Sequence, residues 1–353
     1  MTSFNPDMLT LAREFRGLTQ TELAENIGVK QAFISKLESG LQSPDSALED
    51  ISHVLRFPTD FFRQEDRIFG FNSAVFFHRK RQALPDRLLR KLHAAMNIAR
   101  MRVYRLTRSS QQDDHHFSFR KIDPSTYKHG AVDVADVAKA MWHVPAGPVR
   151  NVMEIIEAAG GVIVPMDFGT LQADAISEWI PGYPPIFLTN TNIGITGDRL
   201  RLTLTHETGH VLMHDYPDPD IENQANQFAA EFLMPRKHIK ASLYNLTLAK
   251  LAQLKRIWKV SMAALIQRAH ELKTITDNQR RYLFMALSKR GNRLREPAET
   301  DIQIERSVRL RSLVKSHVDM GFSTRDLMGM LFVSDENEFK STYLGLNQLS
   351  LVG

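Results

Sequence analysis

The sequence contains no cysteine. Disulfides and thiolate-ligated metals are therefore excluded, and any transition-metal site must be built from histidines and carboxylates. Long apolar runs are missing as well. No stretch approaches the roughly eighteen residues that span a bilayer, so no membrane partner is expected. Residues Met1 to Asp7 have neither the basic start nor the apolar stretch of a secretory signal. A cytoplasmic location is the resulting expectation. There is no glycine-rich phosphate loop and no low-complexity tract. Neither sign of charge dominates: 45 Lys and Arg face 40 Asp and Glu, for a net charge of +5. That mild excess points to nucleic acid only through where the charges fall. What remains is 353 residues, 43% of them hydrophobic, enough for two or three domains with sizeable cores.

The N-terminal quarter reads as short helices. Met8, Leu9, Ala12 and Phe15 recur at helical spacing, so a first helix ends near Gly17. Thr19 can cap a second helix with Glu22 three residues on, and Leu23, Ala24 and Ile27 form its buried face. Gly28 permits a tight turn into a third helix from about Lys30 to Ser39, stopped by Gly40. Ala47, Leu48, Ile51, Val54 and Leu55 mark a fourth. Two short helices joined by a glycine turn inside such a unit form a helix-turn-helix. The segments Leu18–Gly28 and Ile34–Gly40 resemble the XRE (phage Cro/repressor) family in residue type, order and spacing. The resemblance implies that the third helix enters the major groove of double-stranded operator DNA. Gln31, Ala32 and Lys36 would face the bases, with Phe33 and Ser35 as further partners and Gln20 at a phosphate or supporting a base contact. It also implies a homodimer on paired half-sites.

Next come the aromatic and basic stretch Val75–Arg81 and a long amphipathic helix from Pro85 to Arg108. Leu88, Leu92, Met96, Ala99, Val103 and Leu106 make its apolar stripe, and Arg87, Arg90, Lys91, Arg102, Arg105 and Arg108 fall largely outside it. Such a band suits a nucleic-acid backbone, an acidic partner, or acids elsewhere in the fold. Ser109–His116 is polar and unpatterned and reads as a loop.

Helical periodicity returns at Val134–Trp142 and Val152–Ile156. Three short strands follow, at Val162–Val164, Ala175–Trp179 and Ile186–Thr189. A small antiparallel sheet between helices is expected, with Ile186–Thr189 either an edge open to an extended substrate or core sheet. Then comes Thr205-His206-Glu207-Thr208-Gly209-His210. Two histidines four apart on a helix point the same way and can grip one metal ion, with Glu207 beside it as a non-ligating base. The third ligand expected is Glu222, at the start of a helix whose apolar face is Ala225, Phe228, Ala229 and Phe232. Glu231 projects to the opposite side. His214, one turn past His210, is expected to pack or hydrogen-bond near the site.

These segments, with Ile186–Leu188, Arg199, Glu222–Pro235, Leu254–Ser261 and Ala264–Ile266, resemble the ImmA/IrrE metallopeptidase family over about 140–295. Thr208 departs from the leucine usual at its position. The resemblance implies a zincin-like domain whose Zn2+, on His206, His210 and Glu222, activates water for Glu207 to deprotonate. Its relatives include proteases that cut a partner repressor. Candidates for an oxyanion or supporting role are Tyr183, Arg199, His214 and Tyr216.

The whole chain is expected to be mainly α with a small sheet, an α+β fold. A helix-turn-helix bundle (1–65), a basic helical connector (66–130), the metallopeptidase domain (131–295) and a helical C-terminal region (296–353) follow in order. Its expected work is transcriptional control by zinc-dependent cleavage of a protein substrate, either a repressor, another regulator or itself. Stress response, mobile-element control or phage defence would be the setting. A non-enzymatic repressor or antitoxin, with the second domain sensing a ligand or partner, is the rival expectation. Trp258–Ile266 has a further helix-turn-helix character, read as packing, and Ser288–Arg295 is a basic loop.

Overall fold

Four helices build the N-terminal bundle: α1 (Pro6–Phe15), α2 (Gln20–Asn26), α3 (Gln31–Glu38) and α4 (Leu48–Leu55). The computed structural model describes residues 4–70, 84–108, 119–192, 194–215, 219–289, 296 and 298–345. Val75–Arg81, Ser109–His116, Tyr216 and residues 290–295 of the basic loop lie outside these. The cap expected at Thr19 is present. Its hydroxyl accepts from the Glu22 amide while the Glu22 carboxylate accepts from the Thr19 amide. Gly28 takes a φ of +71°, which makes the turn between α2 and α3 possible without strain. Met8, Leu23, Ile34, Leu37, Ile51 and Leu55 fill the bundle core.

The long helix α5 (Asp86–Arg108) is a spine rather than a surface helix. Leu89, Leu92, Met96, Ala99, Val103 and Leu106 meet the sheet and the C-terminal helices. Ala94, Ile98 and Met101, on another face, close the core of the N-terminal bundle. Its arginines therefore do not form a band open to a nucleic-acid backbone. Arg87 donates to the Gly17 carbonyl and to Glu22, and Arg90 pairs with Asp86 and Glu14. Arg105 pairs with Asp66, and Arg102 with Glu338 and the Leu331 carbonyl. The reason is the neighbour. Between residues 1 and 67, eleven Asp and Glu outnumber seven Lys and Arg, so the bundle supplies the acids that the spine's cations need.

After α6 (Ala131–Met141) and α7 (Val152–Ala158) comes a three-stranded sheet of β1 (Val162–Met166), β2 (Ala175–Glu178) and β3 (Ile186–Asn190), in the order β1-β3-β2. The sheet is mixed rather than wholly antiparallel. β1 runs parallel to β3 with Val162 opposite Ile186, and β2 runs antiparallel with Ala175 opposite Thr189. The parallel pair consists of apolar runs covered on both faces, the setting in which parallel pairing is found. Ile186–Thr189 is thus central, and among the described residues β2 is an edge strand next to the following helix, α8 (Gly197–Met213). Helix α9 (Ile221–Leu233) packs against α8.

Three helices, α10 (Leu248–Trp258), α11 (Met262–Glu271) and α12 (Asp277–Lys289), complete that core. An irregular arm then passes back across the start of α8. Glu305 pairs with Arg201 and accepts the Val152 and Met153 amides at the head of α7. Glu157 in turn accepts the Val308 and Arg309 amides that open α13 (Arg309–Asp319). Helix α14 (Thr324–Met330) and a short helix at Glu336–Phe339 return the chain to the spine.

Candidate metal centre

Helix α8 carries His206 and His210 on one face, and α9 brings Glu222 to them. The two Nε2 atoms are 3.0 Å apart, and the Glu222 carboxylate oxygens lie 3.3 Å from His206 Nε2 and 3.4 Å from His210 Nε2. A tetrahedral ion with bonds of about 2.0–2.1 Å would space its ligand atoms about 3.3 Å apart. The three donors therefore fit one such cation, and they form a group able to hold a metal ion among the described residues. Gly209 permits this approach of α8 and α9. A Cβ there would meet the Phe228 ring and Cβ at 3.1–3.3 Å.

The outer nitrogens of both imidazoles are also engaged. His206 Nδ1 lies 3.0 Å from the Asn226 carbonyl oxygen. His210 Nδ1 lies 2.9 Å from His214 Nδ1, and His214 Nε2 lies 3.1 Å from the Gln224 carbonyl oxygen. An amide oxygen only accepts, so Asn226 accepts a hydrogen bond from the N–H of His206 Nδ1. Gln224 likewise accepts from the N–H of His214 Nε2, which leaves His214 Nδ1 to accept from the N–H of His210 Nδ1. Each metal-facing Nε2 is then a lone pair in a neutral ring, the form that ligates.

Glu207 is buried on the same helix. Ser177 on β2 donates its hydroxyl to the Glu207 carboxylate at 2.8 Å. The carboxylate is thereby held from the strand side, outside the three-donor group. Thr208 is buried, its hydroxyl satisfied by the Leu204 carbonyl at 2.8 Å. At the head of α8, Asp198 bonds Lys255, which also bonds Glu296. Burial opposes the charge on Asp198, but bonds from Lys255 and Thr196 outweigh it and hold the carboxyl below its ordinary range.

The sequence-derived residues thus divide. His206, His210, Glu222, Glu207 and His214 come together. Arg199 does not join them. It lies two helical turns before His206, about 10 Å along the axis, tied to Asp174 at 2.5 Å and to the Leu171 carbonyl. The Tyr183 ring is engaged with Phe69 and Tyr104. Glu231 pairs with Arg268 in the core. Sequence reasoning missed Asn226, Gln224 and Ser177. Asn226 had a signal, since it follows Glu222 by four residues and so shares its helix face. Ser177 had only its polarity within a buried strand.

On the bundle, Gln31, Ala32 and Lys36 of α3 are exposed, Ser35 is half-buried, and Phe33 turns partly inward against the core. Arg13, Glu38, Gln20 and Gln31 form a bonded series: Arg13 to Glu38 at 2.5 Å, Gln20 to Glu38 at 2.7 Å, Gln31 to Gln20 at 2.7 Å. Gln31 is oriented by one amide proton, which leaves the other proton and its oxygen for the two-point contact that an adenine edge accepts.

An HExxH helix with a carboxylate from the next helix defines a metallopeptidase-like site, here behind a helix-turn-helix. Comparison with known families agrees. Residues 157–270 match the profile of the peptidase M78 family, described as the IrrE N-terminal-like domain, and residues 9–62 match a helix-turn-helix profile. The chain carries an XRE-type helix-turn-helix domain fused to an IrrE-like domain. No curated protein and no solved structure matches it.

Proposed function

We propose that the chain is a zinc-dependent endopeptidase joined to an operator-binding domain, and that it controls transcription by cutting a partner repressor, another regulator or itself. The observation that carries this reading is Glu207, a buried carboxylate beside the three donors and held by Ser177. A site that only stabilised the fold would have no chemical use for it. His206, His210 and Glu222 would hold the ion and leave a fourth position open. Bound zinc supplies Lewis acidity, which makes a water acidic near neutral pH and polarises a carbonyl. Glu207 takes the proton of the attacking water and hands it to the departing amine. Its neighbour β2 has no strand on its outer edge among the described residues, so an extended substrate can pair there through backbone hydrogen bonds.

The bundle would read its operator with Gln31, Ala32, Ser35 and Lys36, as a homodimer on half-sites about one helical turn apart. A cytoplasmic role in stress response or defence against mobile elements suits this pairing. The test uses the purified chain with zinc chloride, alone and with regulators encoded beside it. One zinc per chain and zinc-dependent fragmentation are expected. Glu207→Gln should keep the zinc and lose about 10²–10⁴-fold in cleavage rate. Equal behaviour of the two chains toward the same proteins would overturn the enzyme and leave a non-catalytic regulator.

A further inference from the structure

A path of contacts, half-buried at first and buried from Asn97 onward, runs from the N-terminal bundle to Glu207. It begins where the bundle ends, with the Asn5 side chain donating to the Gln64 carbonyl at 2.6 Å and Asp66 paired with Arg105 of the spine. The segment then lies along α5. The Asn97 side chain accepts the Phe69 amide at 2.9 Å and donates to the Phe69 carbonyl at 3.1 Å, and His93 Nε2 is 2.7 Å from that carbonyl. One side-chain amide thus takes both backbone groups of Phe69, as a neighbouring strand would. The Phe69 ring covers the Arg100 guanidinium at 4.5 Å. Arg100 bonds Asn97 at 2.8 Å and pairs with Glu178, the last residue of β2. Ser177, one residue earlier, is the donor to Glu207.

Two features make this path more than packing. Arg100 and Glu178 expose only 4% and 3% of their side chains. A fully buried ion pair is a poor source of stability compared with apolar side chains of the same size, whereas it can fix a register. β2 needs such fixing. It has four residues and, among the described residues, a hydrogen-bonded partner strand on one side only. A slip of one residue would turn Ser177 to the opposite face of the sheet, away from Glu207.

We propose that Arg100 is a positioning residue for the peptidase centre: it pins β2 through Glu178 so that Ser177 meets Glu207, and the Phe69 ring makes the pin depend on the bundle being docked on α5. The functional consequence rests on the peptidase reading above; the mechanical link does not. Docking of the bundle holds the general base in line, and undocking releases it. By reciprocity, ordering the centre must tighten the segment at Phe69.

The test is hydrogen–deuterium exchange on the full chain with and without zinc chloride. Zinc should slow exchange across 174–179 and, by about threefold, at the Phe69 amide. The double variant Arg100→Met/Glu178→Gln leaves no stranded charge and should fold. In it zinc should still slow exchange at 206–210 but no longer at Phe69. Phe69→Leu keeps apolar bulk without the ring over Arg100 and should speed exchange in 175–178. Arg87→Ala cuts a different bundle contact, to Glu22, and should not, which a merely structural effect of loosening the bundle would not reproduce. Zinc-linked protection at Phe69 that is absent in the wild type, or that survives in the double variant, overturns the proposal. A chain that takes up no zinc sinks the peptidase reading instead. The link is then read with Ser177→Ala as the perturbation: faster exchange at Phe69 supports it, and no change overturns it.

Discussion

The candidate metal centre and the face of α3 proposed to read DNA both rest on helices held by a hydrogen-bonded series, yet they differ in what is left free. At the centre, both outer nitrogens of His206 and His210 are committed, to Asn226 and His214, and Glu207 is held from β2. Of Gln31, Ala32 and Lys36 on the exposed side of α3, Gln31 is bonded in advance, through Gln20, while Ala32 and Lys36 stand in solvent. Charge differs as well. Glu14, Glu22 and Asp66 of the bundle pair with arginines of the spine and Glu38 with Arg13, and the exposed cations on and beside α3 are Lys30 and Lys36. Chemistry on a fixed bond rewards a site ordered before the substrate arrives. Reading a groove tolerates side chains that settle on contact.

The contrast breaks or sharpens on three measurements. The largest effect is expected for Asn226→Ala. Removing the acceptor that fixes the His206 tautomer should weaken zinc binding by about 10–100-fold in a chelator competition. A change under about twofold would mean that the ring is not held by that bond. Lys36→Ala should act more mildly. Operator binding should weaken across sequences, and the slope of log K against log salt should fall by about 1. With so few cations at the face, the wild-type slope per subunit should itself be shallow. A steep slope would place the phosphate contacts elsewhere in the chain.

The smallest effect concerns acid. The Asp198 carboxyl is held below its ordinary value of 3.8 when folded, so its contribution is complete above that value and drains away as pH falls through the depressed one. Asp198→Asn should therefore lose less stability than the wild type as pH falls from about 4 downward in circular dichroism melts. Parallel loss in both would show that Asp198 does not anchor the head of α8.

What the sequence made legible follows from what its patterns encode. Spacing of four residues puts His206 and His210 on one face whatever surrounds the helix, and the projection of Glu222 followed from Ala225 and Phe228 in the same way. Caps such as Thr19 and Glu22 are equally local. Three features needed the third dimension. The spine was legible as a helix but not as buried on more than one face, because an amphipathic reading assumes a wet side, whereas Ala94, Ile98 and Met101 meet the bundle. Strand order was not legible either. Ile186–Thr189 and Ala175–Glu178 differ little in pattern, and which one is central is decided by β1 pairing with Ile186–Asn190 rather than with Ala175–Glu178. Ser177 reaches Glu207 from 30 residues away in the chain, and no periodicity carries that information.

The arm that crosses the start of α8 sets a limit on how small a working version of this molecule can be. The Gly197 amide bonds the Ile302 carbonyl, and a methyl group at 197 would collide with the Ile302 and Gln303 carbonyls. Four residues on, Arg201 is buried, with Glu305 as its counter-ion. A fragment trimmed to 157–270 would discard Ile302 and Glu305 together, take the counter-ion from the guanidinium five residues before His206, and loosen the root of α8. An autonomous piece should therefore extend beyond residue 305, well outside the 157–270 stretch that the family profile matches.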